Sequence, residues 1–475
     1  MPIIEFRAPM HVPARALWAF HTRPGGFARL CPTWQSVRVE SAVGDFANLR
    51  VTLAIQQGPL KLRWIAQHEN HVEGVCFTDR QLSGPFAHWV HTHTVRPITD
   101  TTSELTDHIE YRLPMGPLGA LVMGKKIERD LRRMFAFRHE RTRLDTLRHE
   151  CFAHLPRLKI GITGSTGLIG RNLCAYLMNA GHAVVRLVRP GRANLAHDPG
   201  LPTEVREIDL SKPSPTLAAA LTDLDAVIHL AGEPIAAGRW TPARLQAITD
   251  SRVRTTRTIA GALSTMPGRV RTFLVASGIA GYDTRGAKNP ADERASYGAQ
   301  TTLGEVARAW EAASNPARVH GRRVVNLRFG IVLAHTGGAL PRLLAPFKLG
   351  LGGTLGDGPQ RWSTISLDDT LGAIEHALHT ESLDGAVNVV SPEPISARDF
   401  AKTLGGLVRR PAFVRVPAGL VRALAGGISD ELLRDRAVVP TKLLESGFIF
   451  VHPTVESGLR MELGLVEPGE VTSGS

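Results

Sequence analysis

Four cysteines in 475 residues, Cys31, Cys76, Cys151 and Cys174, show neither close pairing nor metal-type spacing. This excludes a disulfide framework and a cysteine zinc site, and leaves reduced, mostly buried thiols as the expectation. No stretch reaches the roughly 18 apolar residues that a membrane span needs. The start, Met1-Pro-Ile-Ile-Glu-Phe, lacks the basic segment and apolar core of a secretory leader. The expected location is therefore the cytoplasm. Internal repeats and low-complexity tracts are also lacking. The formal charge of +12 raises nucleic acid or an acidic membrane as partners. No basic motif interleaved with aromatics supports a specific nucleic-acid site, however. The densest cluster, Lys125, Lys126, Arg129, Arg132, Arg133, Arg138, Arg141 and Arg143, reads as the solvated face of an amphipathic helix.

What is present is an ordinary globular composition, 43% hydrophobic and 21% charged, in a chain long enough for two or three domains. Residues 1–155 alternate in the manner of strands from Ile3 to Ala8 and from Val37 to Leu113, with turns such as Gly58-Pro59 and Gly84-Pro85. A helical stripe of Leu118, Leu121, Val122, Ile127, Leu131, Met134, Phe135, Leu144 and Leu147 follows. An antiparallel sheet curved round one long helix is the α+β arrangement that buries such a stripe, and an apolar ligand cavity is expected between the two. His88, His91 and His93 invite a metal reading. On a strand, His91 and His93 share a face while His88 points the other way, so a tight three-His site is awkward and no metal is expected.

From Leu158 the pattern changes to alternating strand and helix, a doubly wound parallel sheet over residues 158–395. Its first strand runs into Gly164-Ser-Thr166-Gly167-Leu168-Ile169-Gly170 and then a helical run to Asn179. Strand, glycine turn and helix in that order bring backbone N–H groups and a helix N-terminus onto a pyrophosphate. The second strand ends at Arg189, where an acidic residue would bind the 2′-hydroxyl of NAD. A guanidinium there suits a 2′-phosphate, so the expected cofactor is NADP (NADPH). The fourth strand ends in His229-Leu230-Ala231-Gly232-Glu-Pro, small residues that let the chain pass close to a cofactor. Residues 396–465, whose Gly447-Phe-Ile-Phe450 is similar to the small C-terminal module of a known family, are expected to complete the substrate side, and 466–475 read as a polar tail.

The first 150 residues, through Arg23-Pro-Gly-Gly-Phe, Gly84-Pro-Phe-Ala-His-Trp-Val-His-Thr-His and Tyr111-Arg-Leu-Pro, resemble the START-like (polyketide cyclase and lipid-transport-like) superfamily. That resemblance implies a helix-grip fold and a hydrophobic ligand or an interaction role. From 158 to 465 the glycine turn, His229 to Pro234, Arg239-Trp-Thr, Ser251-Arg252, Phe347 to Gly353, Asn388-Val-Val-Ser-Pro392 and Gly447-Phe-Ile-Phe450 resemble an atypical branch of the extended short-chain dehydrogenases, the epimerase family. This implies a Rossmann-like fold and cofactor contacts at Gly164, Thr166, Gly167, Leu168, Ile169, Gly170, Arg189, Leu230, Ala231, Gly232, Arg252 and Ile331. For Arg252 the competing reading is a helix-surface arginine.

The wider superfamily moves a proton with a Tyr-x-x-x-Lys pair. Here the corresponding helix reads Glu305-Val-Ala-Arg-Ala-Trp-Glu311, with Ala307 in place of the tyrosine and Glu311 in place of the lysine. Ser277, after the fifth strand, and Tyr282, five residues on, are the substitute catalytic candidates. Asp368-Asp369 reads either as an acid/base pair or as a helix N-terminal cap. Two functions remain: an NADP-dependent oxidoreductase or epimerase acting on a small or apolar substrate, and a non-catalytic NADP(H)-responsive binding or regulatory protein. A homodimer is the candidate assembly, resting on no motif of its own.

Overall fold

The computed structural model describes residues 2–474, apart from Pro213, Ala237, Arg239, Pro267, Gly426, Ile428, Pro468 and Gly469. Arg239 of the Arg239-Trp-Thr motif and the side chain of Leu118 thus lie outside the described residues. The chain opens with β1 (Ile3–Met10), α1 (Ala14–Thr22), α2 (Gly26–Leu30), β2 (Ser36–Val43), β3 (Arg50–Gln57), β4 (Leu60–Val72), β5 (Cys76–Ser83), β6 (His88–Pro97), β7 (Ser103–Arg112) and α3 (Gly116–Cys151). From β2 to β7 consecutive strands pair antiparallel, and β1 pairs with β7. Period-two burial turns Trp89, His91, His93 and Val95 of β6 and Leu105, Asp107, Ile109 and Tyr111 of β7 inward. The sheet grips α3, whose 36 residues span about 54 Å at the helical rise.

Three features of this domain differ from the sequence reading. Leu121 and Val122, assigned to the buried stripe, are 83% and 73% exposed, because the first turns of α3 run past the sheet while Leu131, Phe135 and Leu144 fill the interior. Where an apolar cavity is expected, Phe6 stacks on Phe135 beside a polar centre: Asp107 is bonded to His91 Nε2 at 2.8 Å and to His139 Nε2 at 2.6 Å. The polar tail is not free either. Glu470–Gly474 forms a strand that pairs antiparallel with Ile3–Arg7 of β1 and covers that edge of the sheet.

The second unit runs β8 (Lys159–Thr163), α4 (Leu168–Asn179), β9 (Ala183–Val188), α5 (Ala193–Ala196), β10 (Glu204–Glu207), α6 (Pro215–Ala219), β11 (Ala226–His229), α7 (Pro242–Ser264), β12 (Thr272–Gly278), α8 (Thr302–Ser314) and β13 (Arg323–Phe329). After β14 (Ile331–Ala334), β15 (Gly337–Gly338), α9 (Leu340–Lys348), β16 (Gly353–Leu355), β17 (Arg361–Trp362) and β18 (Thr364–Ser366), α10 (Leu367–His379) leads to β19 (Gly385–Val389). The seven-stranded parallel sheet has the order β10-β9-β8-β11-β12-β13-β19, the Rossmann-like, doubly wound fold. Ile160, Ile162, Val325 and Leu327 point to one helical layer, and Val185, Val227, Phe273 and Val275 to the other. Reversal of strand order between β8 and β11 opens a crevice at the strand C-termini. The helices Ala397–Leu407 and Val455–Glu462 pack with α9 beside that crevice.

Buried charge joins the two units. Arg29 of α2 bonds Asp145 through Nε at 2.6 Å and Asp368 through Nη2 at 2.8 Å, and Arg141 Nη1 meets the same Asp368 oxygen at 2.8 Å. Arg148 clasps Asp369, which also accepts the Ser366 hydroxyl and the N–H groups of Val451 and His452. Burial works against ionisation of Asp368, but Arg141, His452 and Arg29 hold it well below the carboxylate range. Asp368 and Asp369 are therefore interface and capping groups rather than an acid/base pair. The expected solvated basic face is likewise partly used up. Arg141 is buried, Arg138 donates to the Leu30 carbonyl, and Arg133 donates to the carbonyls of Leu463 and Gly464.

Candidate functional site

The crevice begins at the glycine turn, where the three glycines do different work. Gly164 has φ +68, and a Cβ there would stand 2.7 Å from the Leu230 carbonyl carbon. A Cβ on Gly170 would collide with the Gly164 carbonyl oxygen. Both are needed so that β8, β11 and α4 can approach one another. Gly167 is different: it is exposed and caps α4 without any side-chain hydrogen bond, so the first N–H groups of the helix face outward. Thr166 beside it is exposed, and Leu168 and Ile169 are half-buried.

At the end of β9 Arg189 is exposed. Among the described residues its guanidinium has no hydrogen-bond or ion-pair partner. The loop beyond it is folded by Glu207, whose carboxylate accepts the N–H of Gly191 at 3.0 Å and of Ala193 at 3.3 Å. At the end of β11, His229 Nδ1 lies 2.6 Å from Thr163 Oγ1 and Nε2 lies 3.2 Å from Thr255 Oγ1, which ties the two strand ends together. Burial, reinforced by Arg252, pushes His229 down to about 3, so it is neutral. Leu230, Ala231 and Gly232 then run along the crevice.

Arg252 is not a surface arginine. It is 7% exposed, its guanidinium lies 5.1 Å from the Trp310 ring centre, and Nη1 donates to the Ile248 carbonyl at 3.0 Å. Gly232 passes so close that a Cβ there would stand 3.2 Å from Arg252 Cζ. The neighbouring carboxylate of Glu233 is taken by Arg244 at 2.6 Å. Burial, only partly offset by Glu233, lowers Arg252 to about 10. It remains a cation at neutral pH with no carboxylate bound to it among the described residues, an arrangement that attracts an anion.

On the far side of the crevice lie Ser277 and Tyr282, the candidates offered in place of the missing pair. Ser277 Oγ donates to Glu311 Oε1 at 2.8 Å, and Glu311 receives a two-pronged bond from Arg328, Nε to Oε1 and Nη2 to Oε2, each at 2.8 Å. A carboxylate held by an arginine thus occupies the place where a lysine is the rule. Arg328 Nη1 also donates to Tyr282 Oη at 2.6 Å, and that phenol donates to Asn388 Oδ1 at 2.9 Å. Tyr282 is 0% exposed, and burial pushes its pKa up to about 12 despite Arg328. Its expected role as a phenol presented to the crevice is corrected on these grounds, since hydroxyl and ring are both enclosed. Ile331 is half-buried in β14, its N–H bonded to the Ser363 carbonyl at 3.0 Å.

Tyr297 is the residue sequence reasoning missed. Its hydroxyl donates to the Gly278 carbonyl and lies 3.4 Å from Ser277 Oγ, and its ring carries the Arg328 guanidinium 3.4 Å from the centre. Burial raises this phenol as well, with Glu311 adding to the effect. The available signal was its position in Ala-Ser-Tyr297-Gly, just before α8.

A Rossmann-like crevice with open turn amides and cationic, unpaired guanidinium groups defines a nucleotide-binding protein, and comparison with known proteins gives the family. Residues 160–389 match the NAD dependent epimerase/dehydratase family, residues 416–461 a domain of unknown function (DUF1731), and residues 10–138 the polyketide cyclase / dehydrase and lipid transport family. The epimerase family protein Mb2239 of Mycobacterium bovis is 38% identical over 63% of this chain and 96% of its own length. A solved structure of a nucleoside-diphosphate sugar epimerase from Corynebacterium glutamicum is similar over 98% of this chain and 91% of its own, with TM-score 0.78 and 27% identity. The human epimerase family protein SDR39U1, solved with NADPH, is similar over 64% of this chain and 98% of its own, with TM-score 0.56 and 30% identity. The chain belongs to the NAD(P)-dependent epimerase family and carries a START-like domain in front. Among the described residues no helix is long and apolar enough to cross a membrane.

Proposed function

We propose that this family member is an NADP(H)-dependent oxidoreductase acting on a small or apolar alcohol or carbonyl compound. The observation that carries the reading is the unpaired Arg189 guanidinium at the end of β9, on the same crevice as the open Gly167 turn. The human relative solved with NADPH supports the same choice of cofactor. The residues present fit the group: amides at the N-terminus of α4 for the pyrophosphate, Arg189 for a 2′-phosphate, and Arg252 beside Gly232 as a second cation for phosphate or ribose. Leu230, Ala231, Gly232 and Ile331 flank the remaining half.

When bound, NADP(H) supplies hydride exchange with a substrate carbon. The chain's own contribution is orientation. Because Ser277 donates its hydrogen to Glu311, its lone pairs are free to accept a hydrogen bond from a substrate hydroxyl and so fix the carbon that carries it. Arg328 holds Glu311, and Tyr282 holds Arg328, so Tyr282 is a positioning residue rather than a proton carrier.

Nicotinamide fluorescence during titration with NADPH and with NADH tests the cofactor. Arg189→Ala should weaken NADPH by about 10- to 100-fold, the worth of a charge-assisted phosphate contact, and leave NADH unchanged. Equal weakening of both, or no binding by the intact chain, would overturn this assignment. Turnover of NADP+ against a panel of alcohols, the form whose hydroxyl can donate to Ser277, tests catalysis. Ser277→Ala should lower kcat, whereas Tyr282→Phe should change it only a few-fold; a loss of about 100-fold on removing that hydroxyl would restore the phenol as proton carrier.

A further inference from the structure

The interior of the helix-grip domain holds a set of groups that the crevice chemistry does not use. His91 and His93 project from one face of β6, and Asp79 of β5 lies directly across from His91 in the strand register. One ligand-type atom from each of the three lies within 4.8 Å of the other two. We propose that Asp79, His91 and His93 bind a divalent first-row transition-metal ion of the zinc or ferrous class. His88 points away from His91 and His93, so a three-His site is awkward, and the neighbouring strand supplies the Asp79 carboxylate in the third position instead.

The surroundings are arranged as such a site requires. A metal-bound imidazole ordinarily gives its second nitrogen to a carboxylate, which fixes the ring. His91 Nε2 is bonded to Asp107 Oδ1 at 2.8 Å, leaving Nδ1 as the ligand atom. His93 Nδ1 stands 2.7 Å from that same oxygen, and its Nε2 lies 3.4 Å from Asp79 Oδ2, close to the separation of two ligands on one ion. Asp107 is thus the outer carboxylate for both rings, and His139 fixes its second oxygen at 2.6 Å. His68 holds the other Asp79 oxygen at 3.0 Å. The Phe77 ring stacked on His93 and the Phe135 edge against His91 give the centre apolar walls. Asp79, with its side chain 28% exposed, provides the entry path. Two imidazoles and one carboxylate leave coordination positions open for water or an oxygen donor of a ligand entering the domain.

The test uses the full chain, stripped with a chelator and titrated with Co2+ as spectroscopic probe. The expected result is one equivalent bound, with visible d–d absorption and two hyperfine-shifted exchangeable imidazole N–H resonances in the proton NMR spectrum. His93→Gln and Asp79→Asn should each cost about 100-fold in affinity or more, Asp107→Asn about 10- to 100-fold, and His88→Gln nothing. Circular dichroism establishes that each variant is folded. If the variants unfold, the wild-type resonances decide the matter. Absence of stoichiometric uptake or of those resonances overturns the proposal, as does uptake that survives in a folded variant lacking both Asp79 and His93.

Discussion

Gly167 and Gly170 are the same residue three positions apart in the sequence, yet opposite in what they tolerate. Gly170→Ala drives a methyl group into the Gly164 carbonyl and is expected to destabilise the domain by several kcal/mol, with the cofactor site lost as a consequence. Gly167→Ala has only the Gly164 oxygen nearby, at 3.2 Å, so its melting temperature should stay within a few degrees of wild type while nicotinamide-nucleotide affinity falls. Thermal melting and cofactor titration of the two variants check this, and an equal drop in melting temperature would count against it. The turn was legible in the sequence because a backbone constraint leaves a residue-type signature. Tyr282 was not, because its partners Arg328 and Asn388 come from strands far along the chain, and nothing local records that the phenol is sealed. For Arg252 the sequence offers both a cofactor contact and a helix-surface arginine, and the absence of a carboxylate partner appears only in three dimensions.

Among the elements, α3 shows most clearly how periodicity and tertiary use diverge. Its apolar spacing gave the helix and its inward face from Leu131 onward, whereas its arginines look alike in sequence and serve different ends. Arg141 and Arg148 are consumed by Asp368 and Asp369 on α10. Nearby, Glu375 of α10 accepts the Tyr176 hydroxyl at 2.7 Å and lies 3.2 Å from His149 Nδ1 of α3. Burial opposes its ionisation, but His149 and Tyr176 bring Glu375 down to about 2 from an ordinary 4.5. A folded-state pKa below the unfolded one stabilises the protein above the unfolded value, and that contribution is lost as the proton is taken up. Up to about 3 kcal/mol should therefore disappear between pH 4.5 and pH 2. Urea unfolding at pH 5 and pH 3 should show a smaller acid loss in Glu375→Gln than in wild type; identical losses would refute the assignment.

For the whole molecule, the buried arginine–aspartate cluster is the contact that ties the two units together. Asp368→Ala leaves Arg29, Arg141 and His452 without their shared carboxylate. The expected cost is about 3–5 kcal/mol, seen in denaturant as a split of one transition into two. A single transition at the wild-type midpoint would show that the units do not depend on this cluster. Removal of residues 468–475 should shift the chain toward higher-mass species in sedimentation by baring the β1 edge, and an unchanged profile would argue otherwise. Both layouts, helix-grip and parallel sheet, were readable from alternation and helical spacing. The joining charges were not, since they pair residues hundreds of positions apart. The strand Glu470–Gly474, added to β1, also has a consequence during synthesis. The ribosome delivers the last strand of the first sheet only after the entire cofactor domain has emerged. Through that interval the nascent helix-grip domain presents a bare β1 edge.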